Sequence, residues 1–254
     1  MTHPFTGKLF ALAFCAGLLS GCATNGDPRD PLEPLNRGIY QFNQSVDKTV
    51  LKPVATGYQE VLPQPVRTAV GNFFSNLDDV SVLLNDLLQF KLQRAISDFS
   101  RVVWNSTAGL IGLIDVATPM GLEKHNEDFG QTLGYWGVGD GPFLVLPLLG
   151  SSDLRDTAAL FVDSKADIVY QQSNMAARNS EVTLRAVQER SVLLGAERTL
   201  EEAALDPYAF RRDGYLQKRR SLIYDGNPPR EKEDWMDEPS APEAPSKTAP
   251  AQGK

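Results

Sequence analysis

Two short segments of the chain carry residue types that could do chemistry, but neither has the spacing that the chemistry needs. Residues 150–153, GSSD, place two serines beside an aspartate, and His125 is the one histidine beyond the first few residues. The G-x-S-x-G pattern of a serine nucleophile is missing. Residues 137–141, GVGDG, lack the G-x-G-x-x-G order and a following Lys-Ser/Thr pair, so they do not predict a phosphate-binding loop. Helix capping by Ser152 and Asp153 accounts for the first segment, and the sequence predicts no enzyme.

Cys22 follows a segment that has the layout of a secretory signal. Lys8 precedes an apolar run over residues 9–18, and small residues then lead to the cysteine. The run is shorter than the roughly 20 apolar residues that span a bilayer. Residues 19–22, LSGC, resemble the lipobox of bacterial lipoproteins, in which the signal is cut before the cysteine and the cysteine is acylated. By resemblance to sorted lipoproteins, alanine rather than aspartate at position 23 implies the outer membrane. An ordinary signal with an incidental cysteine is the alternative.

Composition limits the remaining functions. The 254 residues carry a formal net charge of −7, which disfavours nucleic-acid binding because that function needs a basic surface. Cys15 is lost with the signal and Cys22 is the predicted acylation site, so no thiol remains for a disulfide or a metal. A single histidine in the mature chain, His125, excludes a multi-histidine metal site, and carboxylate-only sites stay open without a motif. We therefore predict no metal and no cofactor, and we expect His125 to be a solvated loop residue.

The chain divides into four parts by composition. We predict a signal over residues 1–21, a lipidated tether over 22–33, a helical domain over 34–225 and a disordered tail over 226–254 that is rich in Pro and acidic residues. Apolar residues recur at helical spacing through most of the domain, and no long alternating pattern predicts a sheet. The predicted fold class is therefore mostly α.

Helix boundaries follow from local signals. Pro53 interrupts the first helix, whereas proline and aspartate favour the first turn and the N-cap at several later starts. Residues 105–150 are dense in glycine and predict irregular, turn-rich structure with short helical or extended pieces. The predicted starts are Pro34, Pro65, Asp153 as an N-cap, a helix from about residue 181 to 204, and Pro207.

The strongest amphipathic segment is 80–90. Its apolar face is more often packed in a core than laid on a membrane. A lipid anchor, however, brings the domain to a bilayer, where a helix in the interface has the same sequence. Both alternatives stay open. The apolar face consists of Val80, Leu83, Leu84, Leu87 and Leu88, opposite Asp79, Asn85, Asp86 and Gln89.

Charged residues on two later helices also allow simple predictions. Arg94 and Arg101 are helical neighbours of Asp98, so we predict ion pairs within that helix. Residues 218–220, KRR, either meet lipid headgroups or form a solvated helix face.

A series of short motifs in one order resembles the MlaA (VacJ) family of lipoproteins. Together the motifs cover nearly all of residues 30–225, and several linked motifs are more specific than any single one. They are residues 30–37 (DPLEPLNR), 40–43 (YQFN), 61–67 (VLPQPVR), 71–73 (GNF), 129–139 (FGQTLGYWGVG), 141–143 (GPF), 146–147 (LP), 150–151 (GS), 154–156 (LRD) and 206–208 (DPY).

The resemblance implies an outer-membrane lipoprotein that takes mislocalised phospholipid from the outer leaflet and passes it to a soluble periplasmic carrier. This retrograde transport maintains the lipid asymmetry of the outer membrane. The implied fold is a mostly helical ring of amphipathic helices that lies in the inner leaflet around a polar channel. Trimeric porins are the implied partners. A polar channel lowers the high cost of moving a phospholipid headgroup through hydrocarbon, where it loses its water.

Two segments are predicted to form or gate this channel. Glycine permits close approach and unusual backbone dihedrals. Residues 130–141, which we call the Gly-rich segment, are therefore the candidate for channel-lining backbone, with a structural turn as the alternative. Phe42 and Asn43 are predicted to shape channel access or the resting position of the ring, with packing of Phe42 into the core as the alternative. The candidates in the Gly-rich segment are Gly134, Tyr135, Trp136, Gly137, Gly139 and Gly141.

Two other functions compete with lipid transfer. A structural lipoprotein that scaffolds porins or envelope complexes without moving lipid fits the composition equally well, and only the family motifs favour transport over it. An envelope hydrolase is disfavoured by the shortage of nucleophile and base motifs.

Overall fold

The computed structural model describes residues 27–203 and 205–229, with the backbone alone for residues 197–203. The mostly α fold is confirmed, since these residues form eight α-helices and one two-stranded sheet. The helices are α1 (Glu33–Val46), α2 (Lys52–Val61), α3 (Gln64–Leu88), α4 (Leu92–Thr107), α5 (Phe129–Tyr135), α6 (Leu154–Ala166), α7 (Met175–Ala203) and α8 (Pro207–Ile223). The strands are β1 (Phe143–Leu146) and β2 (Gly150–Asp153).

Three helix starts follow the local signals in the sequence. Pro65 is in the first turn of α3, where its missing amide costs no helical hydrogen bond. The Asp153 carboxylate caps α6 by accepting from the backbone N–H of Asp156 at 2.7 Å. Asp206 caps α8 in the same way, one residue before Pro207. The predicted starts at Pro65, Asp153 and Pro207 are confirmed, and the cap by Asp206 is an additional finding. Starts of this kind are readable from the sequence since a cap contacts only its near neighbours in the chain.

Pro53 does not end the first helix. A π-helical turn, Asp47–Leu51, follows α1 and leads directly into α2, where Pro53 is in the first turn. Proline within a helix removes one hydrogen bond and crowds the preceding turn. The wider π turn ahead of it relieves both problems. The interruption that Pro53 predicts is therefore a change of helix type, not a break.

The segments predicted around Pro65 and over 80–90 form one helix, the 25-residue α3. It pairs with α4 after a short connection in which Phe90 has a φ of +58°. Residues 105–150 are mostly irregular, as predicted, and their short pieces are a 3₁₀ turn (Thr118–Met120), α5 and β1. Gly112, with a φ of +85°, brings this chain so close to α3 that an added Cβ would lie 2.8 Å from Asn76.

The hairpin of β1 and β2 is held on α1 by a buried asparagine. The strands pair antiparallel, with Phe143 opposite Asp153. Asn36 donates from Nδ2 to the Phe143 carbonyl at 3.0 Å, and its Oδ1 accepts from the Val145 N–H at 2.9 Å. Phe143 and Val145 form a small hydrophobic core with Tyr208 of α8. The hairpin therefore joins the first and last helices.

Residues ahead of α1 lie against this core. The Phe143 N–H donates to the Arg29 carbonyl at 2.9 Å, and buried Asp30 accepts from Tyr208 Oη at 2.5 Å. The predicted signal, Cys22 and the tail beyond residue 229 lie outside the described residues. Within the part of the chain that the structure describes, every helix is too short or too polar to cross a membrane.

Candidate functional site

The α3–α4 pair turns its polar side chains inward. In the predicted apolar face of segment 80–90, Leu84, Leu87 and Leu88 are exposed, whereas Val80 and Leu83 are partly buried. Most of this face is therefore not packed in a core. We call the buried polar set between these helices the polar interior. It consists of Asn76, Asp79, Asn85 and Asp86 from α3, Gln89 at the C-cap of α3, and Asp98, Arg101 and Asn105 from α4.

The opposite faces of the same helices are exposed and apolar. We call this set the apolar surface. Large exposed apolar patches are rare on soluble monomers and mark interactions with a partner or a membrane. The set consists of Leu84, Leu87, Leu88, Phe90, Leu92, Ile96, Phe99, Val103 and Trp104.

Ion pairs neutralise some of the buried charges of the polar interior. Arg101 lies 3.4 Å from Asp79 and donates to the Leu122 carbonyl at 2.6 Å. Lys124 also binds Asp79 and donates to the Ser75 carbonyl at 3.0 Å. Because breaking a buried pair leaves an uncompensated charge, these contacts fix the loop at residues 122–124 against α3 and α4.

A second network connects the polar interior to α5. Gln89 Nε2 donates to Glu127 at 2.8 Å and to Thr132 Oγ1 at 3.1 Å. The Thr132 hydroxyl in turn donates to Asn85 Oδ1 at 2.8 Å. These four side chains bind the end of α3 to the first turns of α5.

The ion pairs predicted within α4 are wrong. Asp98 lies beside His125, whose Nδ1 is 3.0 and 3.2 Å from the two carboxylate oxygens. Arg94 instead binds Glu127 and Asp225. Contacts with other parts of the fold have displaced the weak intrahelical pairs, which contribute only about 0.2–0.5 kcal/mol each.

His125 is therefore not a solvated loop residue. Its side chain is half-buried against Asp98, and burial together with the charge of Arg94 lowers its pKa. Burial raises the pKa of Asp86 to about 7, and the facing carboxylate of Asp98 adds to this rise. Burial likewise raises the pKa of Asp98.

The Gly-rich segment is partly helical. Gly134 lies in α5, where an added Cβ would be 2.9 Å from Ile223 of α8, so this glycine permits close helix packing. Tyr135 and Trp136 end the helix half-exposed. The Trp136 indole donates to the Leu88 carbonyl at 3.2 Å. The Trp136 ring therefore borders the apolar surface.

The rest of the segment is an exposed loop. Gly137 and Gly141 have φ values of +91° and +71°, which favour glycine. Gly139 has no atom within 4 Å of an added Cβ. Buried Arg155 holds the loop, since it binds the Asp140 carboxylate and its N–H donates to the Asp140 carbonyl at 3.1 Å.

Phe42 and Asn43 differ in their surroundings. Phe42 is 52% exposed, so its packing into the core is excluded. Asn43 donates to the Leu146 carbonyl at 2.9 Å and accepts from the Leu148 N–H at 2.8 Å. Asn43 thus fixes the tip of the hairpin that follows Gly141. The two predicted segments meet through this hairpin.

Two residues noted in the sequence have structural partners of their own. Ser152 Oγ lies 2.9 Å from Thr157 Oγ1 and donates to the Asp153 carbonyl. Arg219 is buried and binds Asp128 at 2.5 Å. Neither proposed role of the basic segment 218–220 therefore applies to Arg219.

A cavity of about 420 Å³ opens between α3 and α6. Its lining is mostly apolar, with two polar side chains, Asn85 and Asp163. Burial raises the pKa of Asp163 to about 6. The apolar lining is suited to an acyl chain. It consists of Leu84, Leu87, Leu88, Phe129, Val162 and Ala166.

The sequence analysis did not identify Asn36, Arg155 or the polar interior as candidates. Asn36 and Arg155 lie within matched motifs, and an inward polar stripe is visible in the spacing of Asp79, Asp86 and Gln89. A polar stripe, however, gives no sign of facing inward until its partner helix is known.

Comparison with known proteins agrees with this architecture. Residues 28–222 match the family model described as MlaA lipoprotein. The chain is 36% identical over 230 residues to the intermembrane phospholipid transport system lipoprotein MlaA of Escherichia coli (strain K12), across 86% of this chain and 89% of that protein. It is 31% identical over 243 residues to the Haemophilus influenzae protein of the same name, across 92% and 97% of the two chains.

A solved structure described as the structural basis for maintenance of bacterial outer membrane lipid asymmetry is also similar. It superposes with a TM-score of 0.68 at 32% identity, across 78% of this chain and 99% of that chain.

Proposed function

We propose, from the premise that the chain belongs to the MlaA lipoprotein family, that it removes mislocalised phospholipid from the outer leaflet of the outer membrane. The lipid passes along a polar channel and reaches a soluble periplasmic carrier, so outer-membrane lipid asymmetry is maintained. The protein is a transport lipoprotein and carries out no hydrolysis of its own. Its anchor is the acylated Cys22.

The inverted burial of α3 and α4 carries this proposal. A helix pair with buried Asp79 and Asp98 and exposed Leu92 and Phe99 is arranged for an apolar solvent around it. The apolar surface contacts acyl chains of the inner leaflet, where exposed hydrocarbon side chains have no cost.

The headgroup needs a polar path through this apolar surrounding. A charged headgroup that leaves water without compensation is strongly disfavoured. The exposed loop with Gly137, Gly139 and Gly141 supplies backbone polar groups without bulky side chains. The hairpin whose tip Asn43 holds follows this loop in the chain, and it controls access together with Phe42. The helices form a ring around this path.

The acyl chains of the lipid stay in an apolar environment during transfer. The cavity between α3 and α6 offers one, with Phe129 and Val162 in its lining. A trimeric porin holds the ring in the inner leaflet, and the periplasmic carrier takes up the lipid. The chain has no energy source of its own, so its partners set the direction of transfer.

Surface-exposed phospholipid in cells tests the proposal. Cells that lack the protein are compared with cells that carry the wild type or the Cys22→Ala variant behind a soluble-export signal. We expect outer-leaflet phospholipid to rise in the deletion and to fall only with the anchored form. Unchanged outer-leaflet phospholipid in the deletion would contradict transport and favour the porin scaffold. Co-purification with porin does not separate these functions, because both predict it.

A further inference from the structure

Asp86, Asp98 and His125 converge between α3, α4 and the loop that leads to α5. One ligand atom from each residue lies within 4.8 Å of the other two. Both aspartates are 0% exposed. His125 is half-buried and lies 27 positions beyond Asp98 in the sequence, so only the fold brings the residues together.

The carboxylate of Asp86 lacks a hydrogen-bond partner among the described residues. Both of its oxygens are buried and unpaired. Burying a carboxylate without a donor or a counter-charge is strongly unfavourable. Two facing carboxylates repel each other unless a cation or a shared proton lies between them. The position of Asp86 therefore calls for either a cation or a proton shared with Asp98.

The basic side chains of this region do not supply that charge. Within the described residues, Asp98 has His125 as its ion-pair partner and Asp86 has none. The basic residues bind other carboxylates. These pairs are Lys91 and Arg94 with Glu127, and Arg101 and Lys124 with Asp79.

We propose that Asp86, Asp98 and His125 form a binding site for one divalent cation, with zinc preferred. Two carboxylates and one imidazole leave the fourth position of a tetrahedral zinc site to water. Calcium takes six to eight oxygen ligands and magnesium prefers oxygen and water, so the imidazole disfavours both.

The observed spacing fits such a site. Two ligand atoms about 2.1 Å from one metal lie roughly 3.0–3.4 Å apart when the angle between them is about 90–109°. His125 Nδ1 lies 3.0 Å from Asp98 Oδ1. Asp86 comes from the helix that faces Asp98, and its ligand atom lies within 4.8 Å of the other two, so its side chain would have to move closer when a cation binds.

A cation at this point joins three parts of the fold. It ties α3 to α4 and to the loop that carries His125 and Glu127. That loop continues into α5, which ends at Tyr135. The cation thus holds the exposed aromatic end of α5 in a fixed position relative to the apolar surface.

The test uses the acylated mature protein in detergent, stripped with a chelator and dialysed against zinc, magnesium or calcium. Elemental analysis gives the stoichiometry, and thermal unfolding gives the effect on stability. We expect one zinc per chain and a rise in Tm on the order of 5–10 °C at zinc 100-fold above its Kd. Magnesium and calcium are expected to give a smaller rise.

Variants identify the site. Asp98→Asn and His125→Gln should lose both the bound zinc and the rise in Tm, whereas the exposed neighbour Glu123→Gln should keep both. His125→Gln retains the aspartates and keeps the test valid if Asp98→Asn does not fold. Zinc that stays bound in His125→Gln would overturn the proposal. The proposal would also be overturned if the wild type held no zinc and Asp86→Asn stabilised the metal-free protein. A proton shared by the two carboxylates would then explain the pair.

Discussion

The apolar surface gives the most quantitative prediction. Leu92, Ile96 and Phe99 of α4 are 61%, 68% and 57% exposed. Full transfer of such a side chain out of water contributes about 1.5–3 kcal/mol, so at these exposures each residue contributes roughly 1–2 kcal/mol to membrane binding. Replacing all three with glutamine removes about 3–5 kcal/mol, which corresponds to binding on the order of 10²–10⁴-fold weaker.

Vesicle flotation of the unacylated mature protein measures this loss. Cys22→Ser removes the anchor, so binding depends on the domain alone. A matched control replaces the residues with other apolar ones (Leu92→Met, Ile96→Leu and Phe99→Leu) and should float like the parent. The glutamine variant should keep its thermal stability in water, because the substituted side chains are exposed. Equal flotation of the glutamine variant and the parent would refute the assignment of this face to the membrane.

Three further predictions concern the parts that position the site. Asn43→Ala leaves the Leu146 carbonyl and the Leu148 N–H without their partner. It should lower the free energy of unfolding by about 1–3 kcal/mol. Denaturant titration measures this, and an unchanged midpoint would contradict a stabilising role of Asn43 at the hairpin tip. Arg155→Met leaves the buried carboxylate of Asp153 without its ion-pair partner and should lower the free energy of unfolding by about 3–5 kcal/mol. The Arg155→Met, Asp153→Asn double variant should recover part of this loss. If the losses of the two single variants simply add in the double variant, the two side chains are not directly coupled. The raised pKa of Asp163, about 6, means that the folded state holds this proton more tightly than the unfolded state, so stability falls as pH rises from about 4 to 6. Asp163→Asn should remove this fall and gain about 1–3 kcal/mol over the wild type above pH 6; parallel pH dependences of the two proteins would exclude the effect.

Local signals in the sequence predict helices well and their surroundings poorly. Pro65, Asp153 and Pro207 mark helix starts correctly because the signals at a helix start involve only residues next to it in the chain. Pro53 correctly indicates where the regular α-helix is interrupted. The sequence does not show that the interruption is a π turn ahead of the proline. The hydrophobic periodicity of 80–90 identified both faces of α3.

Periodicity does not say which face points inward. In water the apolar face would be buried, and in a bilayer leaflet the same sequence turns it outward. The buried state of Asp79 and Asp86 depends on α4 and the loop at residues 122–127, which lie far along the chain. The lipobox at Cys22 was the one local feature that raised the membrane alternative.

The sequence also does not predict which charged residues pair when they lie far apart in the chain. Asp98 has two arginines at helical spacing, yet its partner is His125, 27 residues away. Such choices depend on which groups the fold buries together, since a buried charge gains more from a partner than an exposed one does. The convergence of Asp86 with Asp98 and His125 has no spacing motif for the same reason.

Photocrosslinking of labelled phospholipid tests the polar path most directly. A photoreactive residue is placed at Gly139, where an added Cβ meets no atom within 4 Å, or at Leu92 on the apolar surface. Headgroup-labelled phospholipid should crosslink more strongly at Gly139, and acyl-labelled phospholipid more strongly at Leu92. The same ratio of the two labels at both positions would contradict a separate headgroup path.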